Sequence, residues 1–294
     1  MLSRLKKLAS KVKSVLRGKG HGGNSVAWPP GDKARYLELF GAESVDRRRF
    51  YNVGAGGNFR HPAWTSVGME SGKYAHPNVD LAWNLLDLTP MPLKSRTAEI
   101  IYTSYTLEHV TDQAVQNFLD EAHRVLRTGG ILRVIVPDIE IYYAAYQAKD
   151  ATPFYKPKHD RMEFPTEKLN SNPNQASFEQ RFLWTFATAT SELHTSPGVE
   201  RISDAELRQV LAEMPLEQAL DYCTSRCSIE FQRAHPEYHI NWFHAAKLTR
   251  MLRAAGFTEP YRSAMGQSRS PVLRDLALFD SRRPEIGLYM EAVK

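Results

Sequence analysis

At 294 residues, with 42% hydrophobic and 24% charged residues, the chain can bury a proper core and has none of the compositional bias of a disordered or fibrous protein. No apolar run approaches the roughly 20 residues of a membrane-spanning helix, the N-terminus lacks a secretory apolar segment, and two cysteines are too few for a disulfide framework, so a cytoplasmic location is expected. The formal charge of +5 gathers in residues 1–19, which carry seven cations and no acid; the remaining 31 basic and 33 acidic residues argue against nucleic acid as a partner.

In chain order, Leu2, Leu5, Leu8, Val12, Val15 and Leu16 stand at helical spacing with the cations on the other face. Such a basic amphipathic helix suits an anionic membrane surface, or a neighbouring protein face that covers its apolar stripe. A glycine-rich linker over Gly18–Gly23 follows. Residues 32–44 read as a helix. Phe50-Tyr51-Asn52-Val53 reads as a short buried strand that empties into Gly54-Ala55-Gly56-Gly57, a turn that lets a ligand approach the main chain closely. Trp64–Glu70 alternates as a second strand, too close behind for a full crossover helix, so the first crossover should be cut down to a turn. Leu81–Leu86 reads as a third strand and Thr97–Thr103 as a fourth. Asp112–Leu126 reads as a helix with Val115, Phe118, Leu119, Ala122 and Val125 on one face, stopped at Thr128-Gly129-Gly130 by a left-handed glycine cap. Ile131–Val136 is apolar almost throughout, as a strand covered on both faces should be, and ends at Pro137-Asp138.

Regular alternation then stops until a helix over Lys247–Ala255, closed by Gly256, and a last strand over Ile286–Val293. Strands alternating with helices predict an α/β, doubly wound, Rossmann-like sheet with ligands at the carboxyl ends of the strands. The hundred residues 139–238, with helical candidates at Ser177–Leu193, Ala205–Met214 and Leu216–Cys227, are expected to form a helical cap inserted after the fifth strand. The resulting division is 1–23 helix and linker, 24–138 first part of the core, 139–238 cap, and 239–294 last part of the core.

Glu70, ending the second strand, is placed to accept hydrogen bonds from ribose hydroxyls; Asp87, after the third, can accept from an adenine amine while the Leu88 amide meets a ring nitrogen. Either acid alone could equally be a turn residue or helix cap. With the glycines they indicate a nucleoside. A dinucleotide site wants GxGxxG opening a full helix, whereas this spacing is GxGG with Phe59 beyond it, a poor holder of pyrophosphate.

YNVGAGG, with Glu70 and Asp87, resembles the first motifs of the class I S-adenosylmethionine-dependent methyltransferases. PLKSRTAEIIYTSYTLEHV (92–110) and AHRVLRTGGILRVIVPD (122–138) are similar to that family's later stretches in the same order. The resemblance implies S-adenosyl-L-methionine as cofactor, held by Asn52, Gly54, Ala55, Gly56, Glu70, Asp87, Leu88 and Thr103. HINWF, AAGF, GQSRSPVLRD, FDSRRPE and IGLYMEAVK resemble a bacterial subgroup associated with surface-polysaccharide synthesis, which implies a saccharide or lipid-linked glycan acceptor. Tyr105 stands where the family usually has His, and Glu99 where it often has Asp.

Methyl transfer to a hydroxyl needs alignment and removal of a proton. His109 and His239 are the candidates for that, with Tyr105, Asp138 and Tyr142 beside them; each histidine could instead serve to fix its loop. Cys223, Cys227, His235 and His239 form C-x3-C and H-x3-H pairs, but their separation is unlike a finger-type zinc site and no metal is assigned. Tyr142, Tyr143, Tyr146, Phe182, Trp184 and Phe186 could stack on a sugar or form the core of the cap. A nicotinamide-dependent dehydrogenase and a non-catalytic cofactor-binding module are the competing readings.

Overall fold

A computed structural model describes residues 26–57, 59–70, 79–155, 169–195 and 198–294. The amphipathic segment 1–19 and the glycine linker lie outside the described residues.

Helix α1 (Asp32–Asp46), interrupted at Gly41, leads into β1 (Phe50–Val53). Turns replace a crossover helix before β2 (Trp64–Gly68), as expected, and Phe59 packs on Trp64 and Phe279 with ring centroids 5.9 and 6.0 Å away. Then come β3 (Leu81–Ala82), β4 (Ala98–Ser104), α2 (Asp112–Val125), β5 (Leu126–Pro137) and α3 (Ile139–Ala148). Helices α4 (Phe178–Phe186), α5 (Asp204–Glu213), α6 (Leu216–Thr224) and α7 (Ile229–Ala234) occupy the cap region. The chain closes with α8 (Ala245–Ala254), β6 (Tyr261–Arg262) and β7 (Gly287–Val293).

The seven strands form one sheet in the order β3-β2-β1-β4-β5-β7-β6. Pairings β1–β2, β1–β4, β2–β3 and β4–β5 are parallel, while β7 runs antiparallel to β5 and β6. The strand order reverses between β1 and β4, a topological switch point of the kind at which open α/β sheets bind ligands. Register assigns the faces. Phe50 lies opposite Trp64 and Ile100, on the side covered by Tyr36 and Val45 of α1; Val53 lies opposite Val67, on the side covered by Val115, Phe118 and Leu119 of α2 and Leu248 and Leu252 of α8. Each such large apolar side chain is worth about 1.5–3 kcal/mol when fully buried.

A third cluster belongs to the cap, where Phe182, Leu183, Phe186, Leu207, Leu220 and Cys223 are buried with Tyr142 and Trp242. Tyr146 stacks on Tyr143 and on Phe182 inside it, so these aromatics serve the cap's own core.

Several elements differ from the expected ones. The third strand stops after two residues because the Asn84 side chain accepts from the Leu86 amide at 3.1 Å and caps a 3-10 turn over Leu85–Asp87. Gly129 does not cap α2: the helix ends as Leu126 turns extended and passes straight into β5, and Gly129, with φ of 78°, sits in a bulge of that strand. There its amide donates to the Lys294 carbonyl at 2.6 Å. Strand β6 was too short to read from periodicity.

Arg133, within the apolar run of β5, is fully buried. It reaches Asp280 at 3.0 Å through Nε and Glu291 at 3.0 Å through Nη1, tying β5 and β7 to the segment before β7. Glu99 is also structural: it accepts from the Ser44 hydroxyl at 2.6 Å and pairs with Arg127.

Candidate functional site

The two acids marked in the sequence meet in one cleft. Glu70 follows β2, Asp87 follows β3, and both line a concavity shared with Met69, Ala82, Trp83 and Asn84. Beside it, β1 releases the chain into the glycine turn. Gly54 has φ of 74°, its amide donates to the Val67 carbonyl at 2.9 Å, and a Cβ there would land on the Thr106 side chain. Gly56 also has positive φ, 63°, but open space where a Cβ would stand, so at the second glycine conformation alone disfavours a side chain. Ala55 is half-buried between them.

The other residues expected at the cofactor are placed less uniformly. Asn52 is buried on β1, opposite Ser66 and Tyr102. Thr103 is fully buried on β4, with no hydrogen-bond partner for its hydroxyl among the described residues. The Leu88 amide points back to the Leu85 carbonyl at 3.4 Å as the residue closes the turn, and Leu88 is not among the residues lining the cleft. Asp87 has a protein partner that sequence reasoning missed. Arg233 of α7 donates to its Oδ1 at 2.7 Å and to the Leu86 carbonyl at 2.8 Å, so the cap reaches across to this acid.

The second group lies at the ends of β4 and the cap. Tyr105 has φ of 52°, donates its hydroxyl to the Arg283 carbonyl at 2.7 Å and lies under the Arg282 guanidinium. Burial pushes its pKa up, so it stays a neutral phenol and is unsuited to act as a base. After it, Leu107–His109 form a single 3-10 turn. His109 Nδ1 lies 3.1 Å from the Tyr238 carbonyl, and His239 Nδ1 lies 2.7 Å from the Thr185 carbonyl. A carbonyl can only accept, so each Nδ1 carries the proton and each lone pair is on Nε2. The two rings meet edge to face, 4.7 Å apart. Burial lowers the His109 pKa to about 4, which keeps the ring neutral.

Glu108, not singled out in the sequence, completes this group. It is 1% exposed, neither carboxylate oxygen has a hydrogen-bond partner among the described residues, and burial raises its pKa to about 8. Its burial depends on the cap packing over the loop, a non-local fact that local pattern does not carry.

Other sequence candidates are engaged elsewhere. Asp138 caps α3 through the Glu140 amide at 3.1 Å and pairs with Arg262 at 2.8 Å. Tyr142 packs on Phe154 in the cap. Cys223 is buried in the cap core, and His235 stacks on Tyr238, so the C-x3-C and H-x3-H pairs do not come together as one ligand set.

The chain is similar to known proteins over part of its length. Residues 64–134 match the family model described as "Methyltransferase domain". A curated relative from Mycolicibacterium smegmatis, described as "Probable S-adenosylmethionine-dependent methyltransferase", is 29% identical over 147 residues, 49% of this chain and 53% of the relative. The chain thus spans about half the length of the curated relative it matches. Among solved structures, an S-adenosylmethionine-dependent methyltransferase from Thermotoga maritima aligns at 13% identity and TM-score 0.36, covering 90% of this chain and 95% of that one. One from Mesorhizobium loti aligns at 13% identity and TM-score 0.38, covering 84% and 90%.

The segment that matches the methyltransferase family model, residues 64–134, carries both Glu70 and Asp87 and most of the sheet from β2 to β5.

Proposed function

We propose that the chain transfers a methyl group from S-adenosyl-L-methionine to a hydroxyl of a saccharide or lipid-linked glycan. The observation that carries the cofactor half is the convergence of Glu70 and Asp87 in one cleft beside a turn whose first glycine leaves no room for a side chain. The C-terminal motifs, similar to those of a polysaccharide-associated subgroup, support the acceptor half.

The residues present fit such a cofactor. Gly54, Ala55 and Gly56 would pass its methionine part, Glu70 would accept from the ribose hydroxyls, and Asp87 from the adenine amine. When bound, the cofactor supplies a methyl group already activated on a sulfonium. The protein's task is then alignment and deprotonation. His109 and His239, with lone pairs on Nε2, would take the proton of the acceptor hydroxyl. Tyr105 would position the loop through its bond to Arg283 rather than exchange a proton.

Among the described residues no helix is long and apolar enough to cross a membrane. The cationic segment 1–19 would bring the enzyme to an anionic membrane surface, where lipid-linked acceptors reside.

The test is transfer of labelled methyl from S-adenosyl-L-methionine to glycan and lipid-linked glycan fractions. Transfer lost in His109→Ala and His239→Ala supports the reading; full activity in both variants contradicts the catalytic assignment.

A further inference from the structure

Two features of the acceptor end go unexplained by deprotonation alone: the solvent-shielded Glu108 carboxyl, and the way both neighbouring rings are fixed. A buried carboxyl without a hydrogen-bond partner is costly and calls for a partner. Glu108 Oε1 lies 4.0 Å from His109 Nε2, and ligand atoms offered by Glu108, His109 and His239 all fall within 4.8 Å of one another. We propose that these three side chains bind one divalent first-row transition cation.

The ring geometry is the second support. A metal-ligating histidine commonly donates its other ring N–H to a backbone carbonyl or carboxylate, which sets the tautomer and aims the lone pair. Both rings do this here, His109 toward Tyr238 and His239 toward Thr185. Two imidazoles and one carboxylate suit zinc, manganese or iron(II), whereas calcium and magnesium prefer oxygen donors throughout. With bonds of about 2.1 Å, a tetrahedral site holds its donors roughly 3.4 Å apart, so binding would draw the side chains together by about an ångström.

The three ligands come from two places, the turn after β4 and the junction where the cap rejoins the core, so the cation would pin that junction. A hydroxyl entering as the fourth ligand would lose its proton more readily, and the histidines would then hold the metal instead of taking the proton. The proposal goes beyond methyl transfer and stands on the donor set alone.

The test uses the full chain, stripped with a chelator, dialysed and titrated with Zn2+ by calorimetry, with bound metal measured by mass spectrometry. One zinc per chain is expected, with at least tenfold weaker binding in Glu108→Gln and in His239→Gln, and unchanged binding in a Cys223→Ser, Cys227→Ser double variant. Absence of stoichiometric zinc, equal affinity in both ligand variants, or loss of zinc only in the cysteine variant would overturn it. Melting curves check that each variant folds; if Glu108→Gln does not, His239→Gln decides. S-adenosylhomocysteine binding, measured on the same preparation, reports separately on the cofactor cleft.

Discussion

Glu70 and Asp87 look equivalent in sequence, each an acid just past a strand, yet they differ in what they touch. Asp87 already holds Arg233, whereas Glu70 is exposed at the mouth of the cleft, and no ion pair or hydrogen bond engages its carboxylate among the described residues. A charged acceptor meeting ligand hydroxyls is worth about 1.5–3 kcal/mol, so Glu70→Ala should weaken S-adenosylhomocysteine binding by roughly 10- to 100-fold and leave the melting temperature nearly unchanged. Calorimetry and a melting curve check both. His61 gives a pH dependence. Its Nδ1 accepts from the Ala63 amide at 3.2 Å, so its other nitrogen, 3.3 Å from Asp32, carries the proton of a neutral ring, and burial lowers its pKa. With the folded value depressed, the unfolded chain takes up the proton first. The contribution of His61 is therefore complete above the unfolded value near 6.5 and lost as pH falls below it. Melting temperature should drop between pH 7.5 and pH 5.5, and less so in His61→Gln. The acids were legible because a strand end fixes where they stand. Glu108 was not, since its burial comes from a cap whose packing no local spacing reveals.

Helix α7 is six residues long, and its Arg233 reaches Asp87, which lines the cleft with Glu70, and the neighbouring Leu86 carbonyl. Exposed pairs of this kind contribute 0 to about 1 kcal/mol, so Arg233→Ala should not measurably change stability. Because the cap would lose its hold on Asp87, S-adenosylhomocysteine should dissociate severalfold faster from the variant, as stopped-flow displacement would show; an unchanged rate would remove the latch. Among the elements, long amphipathic ones were legible: α2 was read to within one residue because its apolar stripe faces one side of the sheet. Elements set by a single polar contact were not. The Asn84 cap shortens β3, and pairing of Gly129 with Lys294 turns an expected helix stop into a strand bulge.

For the molecule as a whole, the alternation of strands and helices revealed a doubly wound sheet, but not the antiparallel β7 between β5 and β6. That arrangement is locked by Arg133, buried between Asp280 and Glu291, which look in sequence like unremarkable surface charges. Removing one member of a buried ion pair typically costs about 3–5 kcal/mol, so Asp280→Ala should lower the melting temperature sharply, while Arg47→Ala, whose pair with Glu43 is exposed on both sides, should not. The central claim concerns what the sheet holds at its switch point. Calorimetric titration of the full chain with S-adenosylhomocysteine and, separately, with NAD tests it most directly. Micromolar binding of S-adenosylhomocysteine, weakened in Glu70→Ala, with no heat from NAD, is the predicted result; binding of NAD alone would contradict the account.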